Sequence, residues 1–268
     1  MGVYSLRILH IGDMAGSGAI TSNICNKLGF PSHVVQDSNI DTFRHGDYYE
    51  NTTYLNTREA VYEWVKTNQN DYDYFVYHDQ IELAERLDDL HKPSAYMFHG
   101  NILRKTRIQY DIVCSLESID DIFVSTEDLL EYAPEAKLFY RPVDMDLFCR
   151  DEDHPQKMIG LCLTQERYRK EIKELLRDTD TGVLIADRVK NRIPYGNMPK
   201  LLRSYAFYYD VKYIPTHPPE IIEELSQTAL QALACGCAVW SCGKWYDKFP
   251  REHDDEESAK QFINDITE

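Results

Sequence analysis

The sequence predicts an α/β protein of two domains, each an open parallel sheet with helices packed on it. Three observations predict it. Residues 6–35 run strand, glycine-rich loop, helix, strand, the order of a βαβ unit. The same alternation of short apolar runs and helical periods continues towards residue 148. A polar stretch from Arg150 to Gln156 then interrupts the chain, and a second alternating run starts at once.

Leu6 to Ile11 reads as a buried strand ending in the turn Gly12 to Gly18. The helix that follows carries Ile20, Ile24 and Leu28 four apart on one face. Gly29 and then Pro31 stop it, as a C-terminal glycine and a following proline do. Val34-Val35 starts the next strand. Asn56 and Glu59 resemble a capping box opening a helix with Val61, Trp64 and Val65 on its apolar face. Tyr74 to Tyr77 reads as a strand, Ile81 to Leu90 as a helix and Ala95 to Phe98 as a strand ending at His99-Gly100. Asp121 to Val124 is a further strand, ending at Ser125-Thr126. Leu138 to Tyr140 leads into Arg141-Pro142-Val143-Asp144. Beyond the polar stretch, strands are expected at Met158–Leu163, Val183–Ile185, Val211–Ile214 and Ala238–Trp240. Helices are expected at Arg169–Leu176, Met198–Leu202 and Gln227–Ala234.

The expected division is an N-terminal domain over 1–150, a C-terminal domain over 151–252 and a tail over 253–268. That tail is amphipathic, with Ala259, Phe262, Ile263 and Ile266 on one face, and is expected to pack back across the hinge. Open parallel sheets take ligands at the carboxyl ends of their strands, so chemistry is expected there.

Composition narrows the function classes. A net charge of −16 repels phosphate backbones and anionic lipid, which argues against a nucleic-acid partner. The seven cysteines are odd in number and their spacings fit no zinc template, so a reducing compartment and no metal are expected. Residues 1–9 lack the pattern of a signal peptide, and no apolar run is long enough to span a bilayer. The expected location is therefore cytoplasmic.

Three segments carry candidate chemistry. In the first, Gly16, Ser17 and Gly18 let a ligand approach the backbone closely, and the helix start offers N–H groups to an anion. The dinucleotide spacing Gly-x-Gly-x-x-Gly is absent, and a ligand-free tight turn accounts for the same residues. In the second, His99 sits at a strand end beside Gly100, placed to donate to a sugar hydroxyl or a phosphate; a satisfied core histidine is the plainer alternative. The third runs from Glu223 to Trp240. Glu223 and Glu224 precede a helix whose N-terminal turn, Ser226, Gln227 and Thr228, suits a diphosphate. Gln231 interrupts its apolar run, so that Glu223 and Gln231 can serve one ligand.

This third segment resembles the nucleotide-sugar segment of retaining GT-B enzymes, glycosyltransferase family four: an acidic residue, a small-residue helix, a glycine and an apolar strand. Pro142 to Phe148 resembles the family's Gly-Val-Asp-x-x-x-Phe, Phe98-His99-Gly100 its cleft histidine motif, and Asp121 to Ser125 its Asp-x-x-x-x-Ser strand end. The marks stand in family order from residue 6 to about 243. The sequence departs from the pattern in two places. Gln231 stands where the family has its second glutamate, and the basic pair for the diphosphate does not align. Arg167 and Lys170 are the candidates for that pair, with Arg169, Arg188 and Arg141 as alternatives; a solvated helix face explains the same basic group.

The resemblance implies two Rossmann-like domains facing across a cleft, the N-terminal one on the acceptor side and the C-terminal one on the donor side. It implies a metal-independent hexosyltransferase that needs no cofactor. This enzyme would move a sugar from a UDP- or GDP-sugar to a glycan, lipid-linked or protein acceptor with retention of configuration. Glu223 and His99 would contact the transferred sugar. Gly16 to Gly18, Arg167, Lys170, Ser226, Gln227, Thr228 and Gln231 would hold the nucleotide and diphosphate. A homodimer is compatible with this reading. Three other readings stay open: a non-catalytic nucleotide-sugar binder derived from a transferase, another GT-B enzyme such as an epimerase, and a nicotinamide oxidoreductase.

Overall fold

The computed structural model describes residues 6–13, 16–39, 45–100, 103, 107–164, 169–177, 179, 181–187, 193–211, 225–250 and 255–267. The chain divides into two compact units. One comprises Met1–Pro142 with Asp254–Glu268, the other Val143–His253. The divide precedes the polar run at Arg150 to Gln156, which lies wholly in the second unit.

The first unit runs β1 (Ile8–Ile11), α1 (Ser17–Lys27), β2 (Ser32–Asp37), α2 (His45–Tyr49), β3 (Thr52–Leu55), α3 (Arg58–Asn68), β4 (Tyr74–His78), α4 (Ile81–Leu87), β5 (Ser94–Phe98), α5 (Ile108–Cys114), β6 (Ile119–Val124) and β7 (Lys137–Leu138). Its sheet has the order β3-β2-β1-β4-β5-β6-β7, with every pairing parallel. This is a Rossmann-like order, reversing direction between β1 and β4. Alternate residues feed opposite faces. Leu9, Ile11, Phe75, Tyr77, Tyr96 and Phe98 pack in one core with Val61, Leu83 and Val113 of α3, α4 and α5. Ile8, Val76, Ala95 and Met97 belong to another. Both faces are covered, which is why the inner strands read as continuous apolar runs.

The second unit holds β8 (Lys157–Thr164), α6 (Arg169–Leu175), β9 (Val183–Asp187), α7 (Met198–Arg203), β10 (Tyr205–Asp210), α8 (Gln227–Ala234), β11 (Ala238–Ser241) and β12 (Lys244–Tyr246). The sheet order is β12-β11-β10-β8-β9, parallel except for the β11–β12 hairpin. That hairpin turns through Cys242 and Gly243 at φ 49° and 80°, the paired positive values that a two-residue turn of this hand requires. Helix α9 (Asp255–Asp265) then returns to the first unit, where Phe262 packs against Phe123 and Phe139 at ring-centre distances of 5.4 and 5.3 Å.

Several local expectations are corrected. The cap of α3 is Thr57, whose hydroxyl accepts from Ala60 N at 3.1 Å, not Asn56. The strand expected at Val211–Ile214 lies earlier, at Tyr205–Asp210; residues 212–214 fall outside the described residues. Pairing with both β8 and β11 places the strand on the aromatic run. There Tyr209 lies over Gly160, where a Cβ would collide with its ring, and its hydroxyl meets Thr181 Oγ1 at 2.6 Å. Helix α4 stops at Leu87, and a 3-10 turn covers 88–90. Helices α2 and α5 and strands β3 and β12 carried no signal that the sequence reading used.

Candidate functional site

At the carboxyl ends of the inner strands of the first unit, three histidines form a row. His10 Nδ1 lies 2.9 Å from His78 Nε2, and His78 Nδ1 lies 2.9 Å from His99 Nε2. Register explains the row. On the parallel ladder His10 stands opposite Val76 and His78 opposite Met97. His78 and His99 each sit two residues beyond those partners, so all three side chains leave the same sheet face. Ring centres are 5.1 and 5.2 Å apart, close to the strand spacing of about 4.8 Å.

His10 and His78 are fully buried and His99 is half-buried. Burial lowers the basicity of all three. It brings His78 down to about 3 and His10 and His99 well below the usual imidazole value, with His78 and His33 adding to the effect at His10 and His78 adding to it at His99. For His99 the Arg141 cation acts in the same direction. The row is therefore neutral at physiological pH.

The surroundings are polar and tightly fitted. Both oxygens of Asp79 accept from the His99 backbone N–H at 3.2 Å. Burial pushes the Asp79 carboxyl up to about 6, against the backbone bond and Arg141, which favour its charged form. Asp13 accepts from Ala19 N in the first turn of α1 at 2.8 Å, so part of the anion-binding potential of that helix start is already met by an internal carboxylate. Gly16 caps α1 at φ 80°, where a side chain would collide with His45. A Cβ on Gly18 would stand 3.2 Å from His78 Nε2. Ser17 is buried in the same turn. The glycines of the loop thus let α1 close over the histidine row.

In the second unit, strand β10 ends at Asp210, whose carboxylate accepts from Ser226 N at 2.9 Å and pins the start of α8. Ser226 caps α8, its hydroxyl accepting from Ala229 N at 3.2 Å. Every residue of α8 is buried, including Gln227, Thr228 and Gln231. Gln227 and Gln231 are four apart and share a face. Lys170 is exposed on α6, whose buried residue is Ile172. Glu223, Glu224, Arg167 and Arg188 lie outside the described residues.

The structure thus gathers His99 with His10, His78, Asp79 and Arg141 in one unit, and Ser226, Gln227, Thr228 and Gln231 on one helix in the other. Sequence reading missed His10, His78 and Asp79. The available signal was a histidine near the carboxyl end of each of three apolar strands. Among the described residues no group of three or more His, Cys, Asp or Glu side chains converges to hold a metal ion, and no helix is long and apolar enough to cross a membrane. No family model matches the chain, and no curated protein matches it.

Proposed function

We propose that the protein is a glycosyltransferase that moves a sugar from a UDP- or GDP-sugar to an acceptor hydroxyl with retention of configuration. The finer assignment of its two α/β units to the GT-B fold is part of this proposal. One observation carries the reading. Helix α8 is buried along its whole length yet keeps Thr228 in the turn after its Ser226 cap, and Gln231 one turn further on, as polar side chains. Buried amides and hydroxyls are costly unless they bond to something, and a helix start favours a negative group. A nucleoside diphosphate offers both the hydroxyls and the charge.

In this reading the first-turn amides of α8 hold a phosphate, and Gln231 bonds a ribose hydroxyl. Arg167 or Lys170 offsets charge on the leaving diphosphate, and stabilisation of that charge as it develops is the main catalytic contribution. Glu223 and His99 grip the transferred sugar. The acceptor is a glycan, a lipid-linked sugar or a protein.

Calorimetric titration of the full chain with UDP-, GDP- and ADP-sugars, paired with an assay for released nucleoside diphosphate, tests the proposal. Binding of one donor with release supports it. Binding without release favours the second reading, a non-catalytic nucleotide-sugar binder, which Gln231 in place of a glutamate already favours. Absence of binding by all three donors overturns both.

A further inference from the structure

The histidine row has a direction. Each neutral imidazole carries one N–H, and each of the two N···N contacts needs one donor and one acceptor. If His10 donates from Nδ1, His78 must accept at Nε2 and so donates from Nδ1. His99 then accepts at Nε2 and carries its proton on Nδ1. The opposite sense puts every proton on Nε2. Mixed arrangements break a bond, so the three tautomers form one unit with two states.

The two states differ at the ends of the row. His10 Nε2 and His99 Nδ1 have no hydrogen-bond partner among the described residues. One end must carry an unmet N–H and the other an unmet lone pair. A buried orphan N–H is the rarer of the two defects in folded proteins. Both end atoms are themselves closed off from solvent, but His10 is at 0 % exposure with its ring centre 6.4 Å from that of Phe262, whereas the rest of the His99 side chain is half-buried at a strand end. The unmet N–H belongs at His99.

We propose that His10 and His78 are positioning residues that hold His99 as an Nδ1–H donor, ready for an acceptor oxygen of a ligand such as a sugar hydroxyl or an oxyanion. The near-coplanar His78 and His99 rings, 4° apart, suit an in-plane N–H···N bond and keep the donor aimed. Burial and Arg141 oppose a charged imidazolium, which would erase the direction by making both nitrogens donors. None of this depends on the ligand being a nucleotide sugar, so it stands or falls separately from the proposed function.

Nuclear magnetic resonance of the full chain labelled with 15N in its histidine rings tests the inference without any ligand. Long-range proton–nitrogen correlations at neutral pH should show His10, His78 and His99 all as the Nδ1–H tautomer, the minor form of an isolated imidazole. Nitrogen–nitrogen couplings should appear across both contacts. An Nε2–H tautomer or an imidazolium at any of the three overturns the proposal, as does the absence of both couplings. The variant His10→Asp places an acceptor-only carboxylate where Nδ1 stood, and should switch His78 and His99 completely to Nε2–H. If it folds, its carboxyl is ionised and His99 keeps Nδ1–H, the coupling is wrong. If it fails to fold, the wild-type spectrum alone decides. A merely structural role for His10 would leave the His99 tautomer unmoved.

Discussion

Asp79 and His99 are joined through the main chain, the N–H of His99 lying 3.2 Å from both carboxylate oxygens of Asp79. Asp79 itself stands at φ 52°, a left-handed conformation that aspartate and asparagine tolerate better than most residues. The end of β4 is thereby bent to hold the end of β5, which is where His99 leaves the sheet.

The raised carboxyl makes this joint pH-sensitive. Asp79 moves from its usual 3.8 to about 6, so between those values the folded chain binds more protons than the unfolded one. Stability should therefore fall as pH rises from about 4 to about 6, then level off, with a total change of at most about 3 kcal/mol. Asp79→Asn keeps an acceptor and tolerates the backbone angle. It should flatten that slope and stabilise the protein at neutral pH. Urea unfolding across the range is the measurement, and an unchanged slope in the variant would assign it to another group.

Asp13 anchors the start of α1 through Ala19 N at 2.8 Å. Asp13→Ala should cost about 1–2 kcal/mol, the loss of a charged cap at a helix N-terminus. Asp13→Asn, which keeps an acceptor oxygen, should cost less. Hydrogen exchange at the Ala19 amide should quicken in the alanine variant; equal protection in both proteins would mean that the carboxylate contributes nothing there.

Phe262 makes α9 part of the first unit. It is fully buried, and its ring faces those of Phe123, Phe139 and His10. Phe262→Ala should destabilise by about 3–5 kcal/mol, the usual cost of removing a large core ring. A loss below about 1 kcal/mol in thermal or urea unfolding would show that the tail docks only loosely.

If the proposed function holds, Glu223→Gln should lower turnover about a hundredfold or more, because a charged bond to the sugar becomes a neutral one. Nucleoside diphosphate affinity should barely change. His99→Ala should behave likewise. Gln231→Ala should instead weaken the nucleotide itself by about 1 kcal/mol, one hydrogen bond. Full activity in Glu223→Gln would shift the role to Glu224.

Much of the fold was legible because its signals are local. The start of the glycine loop, the span of α8 and its stop at Gly236, and the apolar face of α9 all follow from spacing and turn chemistry. The candidate site was legible only in part. His99 stood out beside Gly100, and Ser226 to Thr228 stood out as a helix start. His10 and His78 did not, because each reads alone as one polar residue in a buried strand.

By itself the sequence determined that the chain alternates strands and helices, that its inner strands are buried on both faces, and that polar residues sit where those strands end. Periodicity and capping act over a few residues, so they survive in one dimension. Only the tertiary structure decided that β1 lies beside β4 and β4 beside β5, with a register that lines up His10, His78 and His99. Strand order and register come from packing between segments far apart in the chain. A hydrogen-bonded row made across three strands exists only once those segments have met.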